Sequence, residues 1–131
     1  MLHLHGEITK AKSSIDDSLI YDIGYEPINI GQKCIKGYQI RPDVVWFGEA
    51  VPMMDQAYLI TSKADVFIVI GSSLNVYPAA HLCQEVPNDC ECYLIDPNAS
   101  EIQQKSFKNI EDKASIGVPK LLKELIKKLV F

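Results

Sequence analysis

The stretch Ala64-Asp-Val-Phe-Ile-Val-Ile-Gly71, followed by Ser72 and Ser73, decides how this chain is read. From Val66 to Ile70 every residue is apolar and most are β-branched, with no polar alternation. That pattern belongs to a strand buried on both faces of a parallel sheet. The small residues Gly71, Ser72 and Ser73 end it in a turn.

Before this strand the apolar spacing from Pro52 to Ser62 predicts a helix with proline at its start, and after it Pro78 opens a second short helix running through Cys83. Cys92-Tyr-Leu-Ile-Asp96 predicts another buried strand, stopped by Pro97 and Asn98. Asn98-Ala-Ser-Glu101 has the spacing of a helix N-cap with its acidic partner. A short strand follows near Phe107 to Ile110. From Val118 the tail predicts an amphipathic helix, with Leu121, Leu122, Leu125, Ile126 and Leu129 on one stripe and lysines opposite. Alternating strands and helices imply an α/β fold, a partial Rossmann-like parallel sheet with helices, whose ligands sit beyond the carboxyl ends of the strands. The segment from Glu7 to Ile40 lacks sustained periodicity and is rich in Gly, Pro, Asn, Asp and Lys, so it reads as a small loop-rich module.

Composition narrows the function classes. The 131 residues are 47% hydrophobic and 23% charged, the balance of one globular domain. A net charge of −4 with scattered lysines argues against nucleic acid as a partner. No apolar run approaches the ~20 residues needed to span a bilayer, and no basic-then-apolar leader opens the chain, so a cytoplasmic location without membrane association is expected. Cys34, Cys83, Cys90 and Cys92 show no C-x-x-C spacing, which favours neither a disulfide framework nor a tetrahedral zinc site.

Two segments carry a specific resemblance. Arg41-Pro-Asp-Val-Val-Trp-Phe-Gly-Glu49 and Gly71-Ser-Ser-Leu-Asn-Val-Tyr-Pro-Ala-Ala80 resemble the R-P-x-V-V-x-F-G-E and G-T/S-S-L-x-V-x-P-A-A motifs of the sirtuin family, in the family's order. Leu4-His5-Gly6 resembles the family's L-H-G, and Lys113-Ala114-Ser115 is similar to the segment before its last helix. The likeness runs from Leu2 to about Leu129 and is poorest between Glu7 and Ile40. It implies that residues 1–131 correspond to the C-terminal part of a sirtuin catalytic domain, with 7–40 a degenerate counterpart of the zinc module and 41–131 the Rossmann-like part.

The implied activity is NAD-dependent removal of acyl groups from lysine, with NAD as co-substrate and an acylated-lysine peptide or protein as partner. On this resemblance His5 is the catalytic base, since a neutral imidazole can take a proton from a ribose hydroxyl near neutral pH. Gly71, Ser72, Ser73, Asp96, Asn98, Lys113 and Ala114 become cofactor-binding residues, with Asp96 standing where the family commonly has an asparagine against the adenosine ribose. Val44, Val45, Phe47, Gly48 and Glu49 become substrate-binding residues, as do Leu74, Asn75 and Val76. The segment from Val44 to Gly48 is expected to be extended and to pair with the peptide on one side, with Leu74 to Val76 pairing on the other.

Two departures qualify the resemblance. The interval that holds two cysteine pairs in typical members contains only Cys34 here, too few ligands for a tetrahedral site, so no zinc is expected. No glycine-rich strand-to-helix turn of the G-A-G-x-S kind occurs in these residues. The expectation is a truncated enzyme that is inactive alone and either self-associates or pairs with an N-terminal half. The rival reading is a non-catalytic remnant that binds peptide or oligomerises.

Overall fold

The computed structural model describes residues 1–102 and 106–129, the last without its side chain. The chain divides into two compact units, Met1–Met54 and the residues from Asp55 onward.

The first unit is built on an antiparallel sheet of β1 (Gly6–Ser13), β2 (Ile20–Asp22) and β3 (Ile40–Val44), in the order β2-β1-β3. This corrects the loop-rich reading of Glu7 to Ile40, which contains two strands. They escaped the hydrophobic pattern because β1 buries polar side chains: Lys12 and Ser13 are buried beside Ala11. Lys12 Nζ lies 3.0 Å from Asp17 Oδ1 and 3.9 Å from Asp43 Oδ1, which makes a buried cation tolerable. The β1 and β3 register shifts between Glu7 and Ala11, opposite Asp43 and Pro42, where a proline without an N–H belongs at an irregularity. The long connection from β2 to β3 is tied by Gln39, whose side chain accepts from Gly31 N–H at 2.7 Å and donates to the Asn29 and Ile40 carbonyls. Cys34 is buried within this connection.

The second unit carries α1 (Met54–Thr61), β4 (Val66–Ile70), β5 (Glu91–Ile95), β6 (Phe107–Ile110) and α2 (Ala114–Leu129). Short 3-10 turns at Ala79–Gln84 and Ala99–Glu101 follow β4 and β5. The three strands are parallel, in the order β4-β5-β6, so the α/β expectation holds. The central strand is β5, not the more apolar β4. Cys92, Tyr93, Leu94 and Ile95 are all buried, whereas Val66 and Ile70 of β4 remain 40% and 46% exposed. Within the described elements β4 is an edge, bonded only to β5.

Helix α2 starts four residues before the predicted Val118. Pro119 looks like a first-turn proline in sequence, yet it lies inside the helix and costs one ladder hydrogen bond there. Gly117 permits the early start, because a Cβ at that position would stand 2.6 Å from Ile95 Cγ2. Leu121 joins Tyr93 and Ile95 in the core, with Val118 and Leu125 packed against them. Leu122 and Ile126 are exposed on the flank, so the buried stripe is narrower than predicted. The Leu129 side chain lies outside the described residues. Among those residues no helix is long and apolar enough to cross a membrane.

Candidate functional site

At the carboxyl ends of β4 and β5 the chain leaves the sheet twice and opens a cavity of about 490 Å³ between the exits. Gly71 N–H still donates to Ile95 O at 2.9 Å, prolonging the ladder by one residue, and its φ of +62° then turns the backbone out. That left-handed conformation is open to glycine at no steric cost. Ser72 Oγ accepts from Leu74 N–H at 3.2 Å and props Leu74 at φ +56°, a conformation disfavoured for a branched side chain. At the second exit Asp96 N–H donates to Ile110 O, and Asp96 Oδ1 accepts from Asn98 N–H at 2.8 Å.

These two turns bring Ser73, Leu74, Asn75, Asp96 and Asn98 onto one wall system, joining residues singled out from separate parts of the sequence. Among the described residues Tyr77, Glu101 and Ile102 also line the cavity and were missed. Glu101 was visible only as a capping partner for Asn98. Asn98 does stand at the N-cap of the 3-10 turn, but its side chain makes no capping bond. Gly71 and Ser72 shape the exit without lining the cavity, and Val76 is exposed outside it. Lys113 and Ala114 stand at the start of α2, where the Lys113 carbonyl accepts from Ile116 and Gly117, and neither residue lines the cavity. Leu74 to Val76, expected to pair with the peptide, begins on the left-handed Leu74.

In the first unit His5 is exposed and its carbonyl accepts from Val45 N–H at 3.1 Å, one step beyond the Gly6–Val44 pair. The expected extended segment stops early. β3 ends at Val44, Glu49 N–H donates to Trp46 O, and Gly48 has φ +89°, so Phe47 sits on a turn with its side chain 97% exposed. Glu49 closes this turn: Oε2 accepts from Trp46 N–H at 3.1 Å and Oε1 pairs with Arg41 Nη2 at 2.9 Å. The Trp46 N–H, seconded by Arg41, holds the Glu49 carboxyl below its ordinary range. Arg41 also donates to the Val44 carbonyl at 3.1 Å. Arg41 and Glu49 thus fix the loop that presents Phe47. Val45 lines a smaller cavity of about 150 Å³ with Leu4, Gly6 and Met53.

Two cysteine thiols of the second unit are quiet. Burial pushes the Cys92 thiol up to about 11 and raises that of Cys83, which keeps both protonated and poorly nucleophilic near neutral pH. Among the described residues no group of three or more His, Cys, Asp or Glu side chains is placed to hold a metal ion.

A parallel sheet with a polar cavity where adjacent strands end defines an α/β protein with a candidate site at its strand ends. Comparison with known proteins narrows that class: residues 1–78 match the Sir2 family, and the chain belongs to it. It is 44% identical over 133 aligned positions to an NAD-dependent protein deacylase of Bacteroides thetaiotaomicron, a match covering 96% of this chain and 56% of that protein. Among solved structures, a mutant Sir2 homologue in complex with ADP-ribose matches with a TM-score of 0.79 at 30% identity, over 98% of this chain and 53% of that one. A Sir2 homologue in complex with NAD gives 0.78 at 30% identity, over 97% and 51%. The chain spans about half the length of the curated relatives it matches.

Proposed function

We propose that this chain supplies the adenosine-ribose side of the dinucleotide site and the catalytic histidine of an NAD-dependent protein-lysine deacylase. The observation that carries the reading is the cavity at the ends of β4 and β5, which gathers Ser73, Asn75, Asp96 and Asn98 around one volume. Hydroxyl, amide and carboxylate groups there suit a ribose, whose hydroxyls donate to carboxylates and accept from amides. Asp96 keeps one carboxylate oxygen outside its bond to Asn98 N–H and serves as acceptor. In the complete reaction the acyl oxygen of the modified lysine displaces nicotinamide from C1′ of its ribose. His5 then draws a proton from the 2′-hydroxyl so that this oxygen attacks the resulting imidate. Phe47 and Val45 flank the methylenes of the lysine stem. Zinc is not part of the proposal, and metal analysis returning one tightly held zinc per purified chain would sink that element.

With no glycine-rich phosphate turn in these residues, the affinity is expected to be weak, with Kd on the order of 1 mM or somewhat below. Titration of ¹⁵N-labelled chain with ADP-ribose should shift amides of residues 71–76 and 96–101 and leave those of β2 unmoved. An acetylated peptide should instead shift residues 44–49. Shifts absent from the first set, in a chain that remains folded, would refute the nucleotide site. In a protein restored to the length of its relatives, nicotinamide release from NAD with the acetylated peptide is the catalytic readout, and release that survives His5→Ala would remove His5 from the role of base.

A further inference from the structure

The strand-end cavity carries a charge bias. Asp96 follows β5 and Glu101 ends the 3-10 turn after it, so two carboxylates border a volume of about 490 Å³. The other polar lining groups, on Ser73, Asn75, Tyr77 and Asn98, are neutral. Among the described residues no Lys or Arg lines the cavity, and neither Asp96 nor Glu101 takes part in an ion pair. Asp96 has one structural duty, accepting from Asn98 N–H, whereas the Glu101 side chain is exposed and makes no hydrogen bond with a described residue.

We infer that Glu101, acting with Asp96, is a specificity-determining residue that admits a ribose with free 2′- and 3′-hydroxyls and rejects a ribose bearing a 2′-phosphate. The inference rests on the adenosine-ribose reading of this cavity and names what that site excludes. A hydroxyl donates to a carboxylate and is held by it. A 2′-phosphate offers only acceptor oxygens near neutral pH and brings a charge of about −1.5 to −2. It would meet two like charges in a partly enclosed volume where no lining cation among the described residues offsets them, and like charges within a few ångströms at a protein surface repel by several times thermal energy. Dinucleotide sites that accept the phosphate place an arginine there, the reverse of this arrangement. Because Asp96 is placed to accept a ribose hydroxyl and Glu101 contributes mainly charge, loss of the Glu101 charge should alter discrimination more than affinity.

The test titrates the labelled chain with ADP-ribose and with 2′-phospho-ADP-ribose at low and at raised salt. ADP-ribose should bind at least ~10-fold more tightly at low salt, and the ratio should shrink as salt screens the carboxylates. Glu101→Gln should cut the ratio at least ~3-fold, and should flatten its salt dependence, the pattern of a charge effect rather than a lost contact. Equal affinity for the two ligands, or an unchanged ratio in Glu101→Gln, overturns this inference and leaves the nucleotide site standing. Failure of both ligands to bind a folded chain overturns the nucleotide reading and this inference with it.

Discussion

Gly6 opens β1 with φ +82°, and a Cβ built on it would stand 2.0 Å from the Asp43 carbonyl oxygen. Two independent reasons, a left-handed backbone and backbone-to-backbone contact, therefore demand glycine beside His5. The consequence is functional, because the next bond along is the one from Val45 N–H to His5 O that ties the histidine to the Phe47 loop. Gly6→Ala should destabilise the first unit by about 2 kcal/mol or more, since strained φ and a steric clash act together. Trp46 is the only tryptophan, so urea unfolding followed by its fluorescence reads that unit directly. An unchanged midpoint would show that β1 and β3 can part without loss. The sequence made Gly6 recognisable as a motif member, but the reason for it is the Asp43 carbonyl, a neighbour 37 positions away that no local pattern names.

Strands β5 and β6 and helix α2 meet at Glu91. Its carboxylate accepts from Tyr93 Oη at 2.6 Å, from Lys108 Nζ at 2.9 Å and from Lys128 Nζ at 2.9 Å. The Tyr93 hydroxyl first, then the two ammonium groups, pull the Glu91 carboxyl down to about 2. A carboxyl lowered on folding stabilises the native state fully above its ordinary value near 4.5, and that contribution is lost as pH falls through the folded value near 2. Glu91→Gln should therefore lower the melting temperature at neutral pH, by an amount that salt reduces, with the two proteins converging as pH approaches 2. A gap that persists undiminished at acid pH would mean that the clasp acts through packing and not charge. The elements it joins were legible as two strands and an amphipathic helix. Their meeting point was not, because Glu91 and Lys128 are 37 residues apart and look like ordinary solvated charges.

The two units leave apolar surface in view. In the second, β4 is bonded on one side only among the described elements, with Val66 and Ile70 exposed, and Leu59 and Ile60 of α1 are exposed as well. An apolar strand edge with unpaired backbone recruits another strand. The purified chain should self-associate, so light scattering across a dilution series should give a mass that rises above 14.7 kDa with concentration. A monomer up to about 1 mM would show that this edge is protected by the side chains beside it.

By itself the sequence determined the α/β class, the strands at Val66–Ile70, at Cys92–Asp96 (one residue late at each end) and near Phe107–Ile110, and the family motifs around His5, Arg41 and Gly71, because each is written in contiguous residues. Hydrophobic runs and glycine turns are local signals, and local signals survive without a fold to hold them. The tertiary structure alone decided that β5 and not β4 is the core strand, since strand order depends on which neighbours bond. It also decided that Glu7–Ile40 contributes two strands to a sheet, since the buried ammonium of Lys12 is tolerable only beside Asp17 and Asp43. Finally, it set Glu101 and Tyr77 beside Asp96. A cavity at strand ends is made by residues that share a place and not a segment, and only folding brings them to it.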